Sequence, residues 1–257
     1  MTIAACAALV ERGDPDRFAA TMAAPPNARE TLFPLYAFNL EVARAPWVTQ
    51  EHLIAEMRLQ WWRDVVAAPA SGAALAHEVA GPLHHVIHTK NLPLKTFDKL
   101  IAARRWDIGK NPFVTTADLT DYLEDTGAAL MWLAAKSLNA PDAAEQAARD
   151  AGWATALASY LRAVPDLTMR GRVPLPDPGP NAIAALAKLG LDRLQSARQA
   201  RGTIPRHANG ALFPAWQTNA LLTMAANDPA AVIEGRLAQP EFFRRGGLAI
   251  RAVTGRW

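Results

Sequence analysis

The sequence has very little cysteine and no long apolar segment. Cys6 is the only cysteine among 257 residues, which excludes an internal disulfide and a cysteine-rich metal site. A single thiol fits a reducing compartment. No stretch reaches the roughly 18 consecutive apolar residues that predict a membrane-spanning helix. We therefore expect a soluble protein that is made and kept inside the cell, in the cytoplasm.

Motifs of several common enzyme classes are also absent. The chain contains no dinucleotide-binding glycine turn, Walker loop, zinc-protease helix, serine-hydrolase elbow or Cys-x-x-Cys pair. Its formal net charge is only +3 at pH 7, and the basic residues are spread along the chain. Nucleic acid is therefore not an expected partner, because recognition of phosphates needs a concentrated basic patch.

Helical periodicity is abundant. Hydrophobic residues make up 51% of the chain, enough for a large core. Leu53, Met57, Trp61 and Val65 recur every four residues, which predicts an apolar stripe on one helix. Repeats, low-complexity linkers and alternating strand patterns are absent, so we predict a single all-α domain over residues 1–257. Its longest helices are predicted near residues 28–45, 50–67, 117–138 and 142–164.

The histidines of the middle region are the first candidate metal ligands. His84 and His88 lie four residues apart, which places them on one face of a helix. Zinc needs three or four converging ligands. Gly81-Pro82 separates His77 from the pair, and no nearby cysteine completes a set. We therefore interpret them as ordinary surface or interface histidines and expect no metal site there.

Several short segments resemble the motifs of squalene and phytoene synthases. The run Leu35-Tyr36-Ala37-Phe38 resembles the segment that precedes the family's first aspartate-rich motif. The order and spacing of the segments are fairly specific, and the resemblance is strongest over residues 14–180. It implies an isoprenoid-synthase-like bundle of helices around a central cavity. Three further segments carry the resemblance: residues 56–63, residues 121–127, and Leu161-Arg162 followed by residues 170–176.

The resemblance also shows what this chain has lost. Family enzymes join two prenyl diphosphates, and two acidic motifs hold the Mg²⁺ ions that help diphosphate to leave. In the first motif Glu41 is the acidic residue that remains, and in the second it is Asp166. One carboxylate per motif is a poor magnesium site, so we expect no cofactor, and Mg²⁺ only if the chain is an enzyme. The other motif positions, which we expect to face the cavity, are Ala43, Arg44 and Trp47 in the first motif and Ala163 and Leu167 in the second.

Other residues offer partial replacements for the lost motifs. Guanidinium groups pair with phosphate oxygens in two-point geometry, so arginines are candidate diphosphate contacts. The alternative is that they fix loops, and that Tyr122 packs between helices. Carboxylates from elsewhere are a further possibility, although such residues more often form a solvated helix edge. The candidate contacts are Arg44, Arg162, Arg170, Arg172 and Tyr122, and the candidate carboxylates are Asp107, Asp121, Glu124 and Asp125.

The pattern Leu161-Arg162-Ala163-Val164-Pro165 resembles one subgroup of the family. This subgroup comprises the mitochondrial respiratory complex I assembly factors with a phytoene-synthase-like domain and their bacterial relatives. The resemblance implies a non-catalytic assembly factor or scaffold that contacts respiratory-chain subunits or other assembly factors, with an isoprenoid-shaped cavity. The alternative is a prenyl-diphosphate-binding or condensing transferase of isoprenoid biosynthesis. The loss of both acidic motifs favours the first hypothesis.

The end of the sequence combines aromatic and basic residues. Phe242-Phe243-Arg244-Arg245 is followed by Ile250-Arg251 and by Arg256-Trp257. Such a segment is typical of helices that lie on anionic lipid, so one interpretation is peripheral contact with the inner face of the membrane. The other is that Phe242, Phe243 and Leu248 dock on the core. The sequence leaves both interpretations open.

Overall fold

The computed structural model describes residues 3–49, 51–69 and 77–257. Within these ranges the regular structure is entirely helical, as the sequence predicted. The α-helices are α1 Ile3–Gly13, α2 Pro15–Ala23, α3 Pro26–Arg44, α4 His52–Ala67, α5 Ala80–Thr89, α6 Leu94–Ala103, α7 Thr116–Leu123, α8 Ala129–Ser137, α9 Glu145–Met169, α10 Pro180–Gln199, α11 Thr218–Asn227, α12 Ala230–Ile233 and α13 Glu241–Thr254.

Three of the non-α helical segments adjoin α-helices around the cavity described below. A 3₁₀ turn, Arg104–Asp107, extends α6. A π-helical turn, Glu124–Ala128, joins α7 to α8, so that together they form the predicted helix near residues 117–138. A longer 3₁₀ segment, Arg206–Gln217, leads into α11. The first two segments carry side chains that form the cavity described below, as π turns in particular often do at functional sites.

The longest helix, α9, ends later than the sequence predicted. Pro165 was expected to end it at Val164, because proline lacks the N–H that bonds to the preceding turn. Instead Pro165 lies inside α9, and the backbone continues for another turn, with the N–H of Arg170 donating to the carbonyl of Asp166 at 3.1 Å. The second lost motif is therefore carried by a helix rather than by a loop.

Two glycines let α9 approach the π-helical turn closely. A Cβ atom on Gly127 would lie 2.2 Å from the Cβ of Ala156, and one on Gly152 would lie 2.8 Å from the carbonyl oxygen of Gly127. Real Cβ atoms do not approach neighbours so closely, so glycine is required on both sides of this contact. The contact fixes the wall of the cavity against α9.

Two apolar clusters form the core. One gathers α1 to α6 with α8 and the start of α9, and includes Leu32, Phe38 and Phe97. The other gathers α7, the rest of α9 and α10 to α12, and includes Trp153 and Leu222. The cavity lies between them, because residues of both clusters line it. That residues 1–257 form a single domain stays a prediction.

Candidate functional site

A cavity of about 210 Å³ lies between α3, α8 and α9. This volume is below the roughly 300 Å³ at which pockets for drug-sized ligands begin. Part of its lining is polar, and Leu130 and Met131 contribute apolar surface. The predicted helix near residues 50–67 does not line it, because α4 packs on α6 outside the cavity. The polar part, which we call the polar end, is formed by Arg17, Tyr36, Asn39, Arg104 and Tyr122.

A buried network of three side chains closes the polar end. Arg104 Nη1 donates to the hydroxyl of Tyr122 at 2.6 Å, and that hydroxyl donates to Asp107 Oδ2 at 2.9 Å. Arg104 also faces Asp107 Oδ2 directly at 3.5 Å. Burial raises the pKa of the Asp107 carboxyl, while the charge of Arg104 opposes that rise. Burial likewise raises the pKa of the Tyr122 hydroxyl, so it stays protonated and acts as a donor.

Tyr36 contributes an unusual hydroxyl to the same end of the cavity. Its oxygen is buried and has no hydrogen-bond partner among the described residues. Burial raises the pKa of this phenol, and the guanidinium of Arg17 lies 5.2 Å from the ring centroid. Arg17 is itself paired with Asp14 at 2.8 Å. The cavity therefore presents a protonated phenol and two arginines to whatever occupies it.

A second hollow adjoins the cavity and shares Arg17, Ser159 and Pro214 with it. We call this hollow the mouth. Its centre is the carboxylate of Asp16, which accepts three hydrogen bonds and is paired with two guanidinium groups. The donors are Arg162 Nη1 at 3.0 Å, Gln217 Nε2 at 3.0 Å and Arg244 Nη1 at 3.1 Å.

The charge of Asp16 is therefore compensated by side chains of the protein itself. Charge-assisted hydrogen bonds between guanidinium and carboxylate are among the strongest in proteins. Asp16 is already paired with two arginines, which disfavours its binding of a cation. In the described part of the chain, no three His, Cys, Asp or Glu side chains converge as a metal site would require. The arrangement can hold an anion or a neutral molecule, and it does not fit magnesium.

The positions of the two lost motifs differ in whether they line the cavity or the mouth. Ala163 lines the mouth, as expected of a residue facing the cavity region. Ala43, Arg44 and Leu167 are not among the residues that line the cavity or the mouth, and Arg44 is exposed. That these three residues face the cavity stays a prediction. Asp166 is also exposed, and Glu41 is half-buried. Neither remaining acidic residue lines the cavity or the mouth.

Trp47 meets the loop that follows α9. The guanidinium of Arg170 lies 5.3 Å from its ring, and that of Arg172 lies 5.0 Å away. Arg172 is buried, also faces the ring of Trp106 at 5.3 Å, and donates to the carbonyl of Asp107. Through these contacts Arg172 holds the loop against the protein, which agrees with the alternative in which the candidate arginines fix loops. Of the candidate diphosphate contacts, Arg162 alone lines the mouth, and Tyr122 lines the cavity.

The candidate substitute carboxylates do not gather around one point. Glu124 pairs with Arg193 at 2.9 Å and with Arg149 at 3.4 Å. Asp121 and Asp125 line a separate, shallow surface hollow. Asp107 is held in the buried network instead. The suggestion that these residues replace the lost acidic motifs is therefore wrong.

The histidine pair has a structural role. The Nε2 atoms of His84 and His88 lie 3.0 Å apart, and both lie within 3.1 Å of the carbonyl oxygen of Ala68. The last carbonyls of a helix lack partners within the helix, and Ala68 immediately follows α4. The pair thus joins α5 to the end of α4, as expected of interface histidines.

Of the residues that build the mouth, Arg162 was a candidate contact, whereas Asp16, Gln217 and Arg244 were not predicted as site residues. Gln217 and Arg244 lie outside residues 14–180, where the resemblance is strongest, and Arg244 lies 228 residues from Asp16. Arg104 was missed as well, although it lies only three residues before the candidate carboxylate Asp107. Only the fold brings these side chains together, so no local spacing could have revealed them.

The chain matches a family model described as squalene/phytoene synthase over residues 10–178. It is also similar to curated proteins named NADH dehydrogenase (ubiquinone) complex I, assembly factor 6. The protein from Bos taurus is 29% identical over 172 residues, which cover 66% of this chain and 52% of the relative. The protein from Homo sapiens is 27% identical with the same coverage. The chain spans about half the length of the curated relatives it matches.

Solved structures share the fold at low sequence identity. A dehydrosqualene synthase crystallised with a ligand superposes with a TM-score of 0.82 at 14% identity, covering 98% of this chain and 95% of that one. The squalene synthase HpnC from Alicyclobacillus acidocaldarius gives 0.72 at 17% identity, covering 89% and 94%. At these identities the likeness shows the fold alone. None of the described helices has the length and apolar character to cross a membrane.

Proposed function

Because this chain belongs to the squalene/phytoene synthase family, we propose that it keeps the family's helical fold but acts as a non-catalytic assembly factor or scaffold. One observation carries this proposal above all others. The carboxylate at the mouth, Asp16, is engaged by Arg162, Arg244 and Gln217 and is not free to bind a metal ion.

The chemistry of the family explains why this observation matters. Ionising an allylic diphosphate separates charge, and a catalyst must stabilise the leaving group as its charge develops. Magnesium needs several oxygen ligands in near-octahedral geometry. Ala163 lines the mouth without offering an oxygen ligand, and Asp166 is exposed outside it. The residues present do not fit magnesium, so no step of prenyl condensation is assigned to this site.

The relatives support a role in assembly. The relatives from Bos taurus and Homo sapiens are named as assembly factors of NADH dehydrogenase (ubiquinone) complex I, and the match covers about half of their length. We propose that the present chain acts in the same kind of process, with respiratory-chain subunits or other assembly factors as its protein partners. We place it in the cytoplasm, in peripheral contact with the inner face of the membrane.

A second candidate function is the binding of a prenyl diphosphate or another isoprenoid without turnover. The observation in its favour is the polar end of the cavity, where Arg17, Arg104 and the unpaired hydroxyl of Tyr36 converge. The cavity, at about 210 Å³, is too small to hold two prenyl chains side by side. Tight binding of a ground state also does not accelerate a reaction, so such affinity is compatible with a protein that catalyses nothing.

The assembly proposal is tested in cells that lack the gene. We expect the amount of fully assembled NADH dehydrogenase complex to fall and to recover when the chain is expressed again. A variant that keeps the fold but carries Tyr122→Phe and Arg17→Met in the cavity should restore assembly as well, if the cavity is not used. Normal complex levels in the deleted cells would contradict the proposal.

A further inference from the structure

The C-terminal helix α13 carries its apolar residues on the side that faces away from the protein. Phe242 is 81% exposed, Phe243 64%, Ile250 63% and Val253 88%. No residue of this 14-residue helix is fully buried. Amphipathic helices of soluble proteins usually turn their apolar face toward the core, so α13 has the reverse orientation.

Polar contacts hold the opposite side of α13 on the protein. Arg244 pairs with Asp16, and its carbonyl accepts a hydrogen bond from Trp216 Nε1 at 3.1 Å. Just after the helix, the carbonyl of Gly255 accepts a bond from Asn209 Nδ2 at 2.8 Å. Leu248 packs against the core. Because these contacts fix the rotation of the helix, the interpretation in which Phe242 and Phe243 dock on the core is wrong, and only Leu248 does so.

The charges around the outward face are mostly positive. Of the four arginines between residues 241 and 257, Arg245 and Arg256 are exposed, and the segment has a single acidic residue, Glu241. Glu241 lies within 2.7 Å of Arg245, whose side chain is 80% exposed. Arg256 lies exposed just beyond the end of the helix. An apolar stripe with a cationic border complements a surface that offers both apolar contact and negative charge.

On the basis of the proposed function, we infer that the outward face of α13 docks on an anionic lipid bilayer. In this arrangement Phe242, Phe243, Ile250 and Val253 insert at the boundary between headgroups and acyl chains. Arg245 and Arg256 face the headgroup phosphates. A helix of this length measures only about 21 Å, so it lies in the plane of the interface and does not cross the bilayer. The mouth lies on the other side of α13, where Arg244 meets Asp16, so docking leaves that contact in place.

Vesicle flotation with the full chain tests this inference. Vesicles of phosphatidylcholine containing about one third phosphatidylglycerol should carry the protein upward at low salt, and pure phosphatidylcholine should carry much less. The double variant Phe242→Ser/Phe243→Ser should weaken binding by about tenfold for each phenylalanine, since each loses the burial of a large apolar side chain. Raising the salt concentration should also weaken binding, because exposed charges are screened.

A matched control uses the other exposed apolar stripe. Leu53 and Met57 on α4 are also exposed, so Leu53→Ser/Met57→Ser removes comparable surface elsewhere and should leave flotation unchanged. If wild type does not float with anionic vesicles at low salt, the docking inference is overturned. Equal loss in both double variants would overturn it too, as would a dimer that dissociates only when the phenylalanines are changed. Flotation needs no protein partner, so these outcomes leave the assembly proposal standing, and the deletion experiment decides that proposal separately.

Discussion

Two carboxylates lie beside the cavity region, and the protein uses them in opposite ways. Asp107 is buried, and its partners Arg104 and Tyr122 lie within 15 residues of it in sequence. Asp16 is 24% exposed at the mouth, and its partners lie between 146 and 228 residues away. The first network is buried and joins residues that are close in sequence, whereas the second is partly exposed and joins residues that are far apart in sequence.

This difference indicates what each network does. The inner network sets the polar end of the cavity and contributes to folding, because charges removed from water must be paired. The mouth joins α2 to α9 and α13, and its carboxylate, Asp16, is paired with arginines. Breaking the inner network should therefore cost mainly stability, and breaking the mouth should change mainly which anions can bind.

The largest effect is expected from Arg104→Met. This change leaves Asp107 buried without its positively charged partner, and we expect the free energy of unfolding to fall by about 3 kcal/mol. Urea denaturation followed by circular dichroism measures it. Arg105→Met is the matched control, because Arg105 pairs with Glu56 on the surface and should contribute less than about 1 kcal/mol. Equal losses in the two variants would show that the inner network has no special role.

A smaller loss is expected from Tyr122→Phe. The change removes one hydroxyl that accepts from Arg104 and donates to Asp107, and we expect the free energy of unfolding to fall by about 1–2 kcal/mol. Tyr160→Phe removes a hydroxyl with one partner, the carbonyl of Pro174 at 2.7 Å, and should cost less. The comparison is made by the same denaturation series. A larger loss for Tyr160→Phe would contradict the assignment of the network.

Asp16→Ala should have the smallest effect on stability. The groups at the mouth are partly exposed and screened by water, so we expect a loss below about 1 kcal/mol. The change removes the carboxylate that pairs with Arg162 and Arg244, so inorganic diphosphate should then raise the melting temperature more than it does for wild type. Thermal unfolding with and without diphosphate measures both effects. Asp228→Ala, which removes one of the two carboxylate partners of the remote Arg236, serves as the control.

The fold was largely predictable from the sequence, because helical periodicity and the order of the family-like segments are local signals. Its exceptions have physical causes. Pro165 was expected to end a helix, but the backbone of α9 continues through it. The sequence predicted an apolar stripe on α4 that includes Leu53 and Met57, yet these two residues are exposed, while Leu59 and Trp62 are buried. Periodicity shows that a helix has an apolar face without showing what covers it.

The site was predictable only in part. The absence of aspartate at Ala163 could be interpreted directly, because Leu161-Arg162 fixes the register of that segment. The partners of Asp16 could not be found, since Gln217 and Arg244 come from distant helical segments and carry no motif. The orientation of α13 was equally hidden, because both of its faces contain apolar and basic residues. The partners of Asp16 and the orientation of α13 both depend on contacts between residues that are far apart in sequence.

The central claim is that this site does not catalyse magnesium-dependent condensation of prenyl diphosphates. It is tested most directly by product analysis with the purified chain, farnesyl or geranylgeranyl diphosphate, Mg²⁺ and a reductant, beside an active dehydrosqualene synthase and a reaction without protein. We expect no squalene, no phytoene and no cyclopropyl intermediate above the reaction without protein. Formation of any of these products by the chain would contradict the claim.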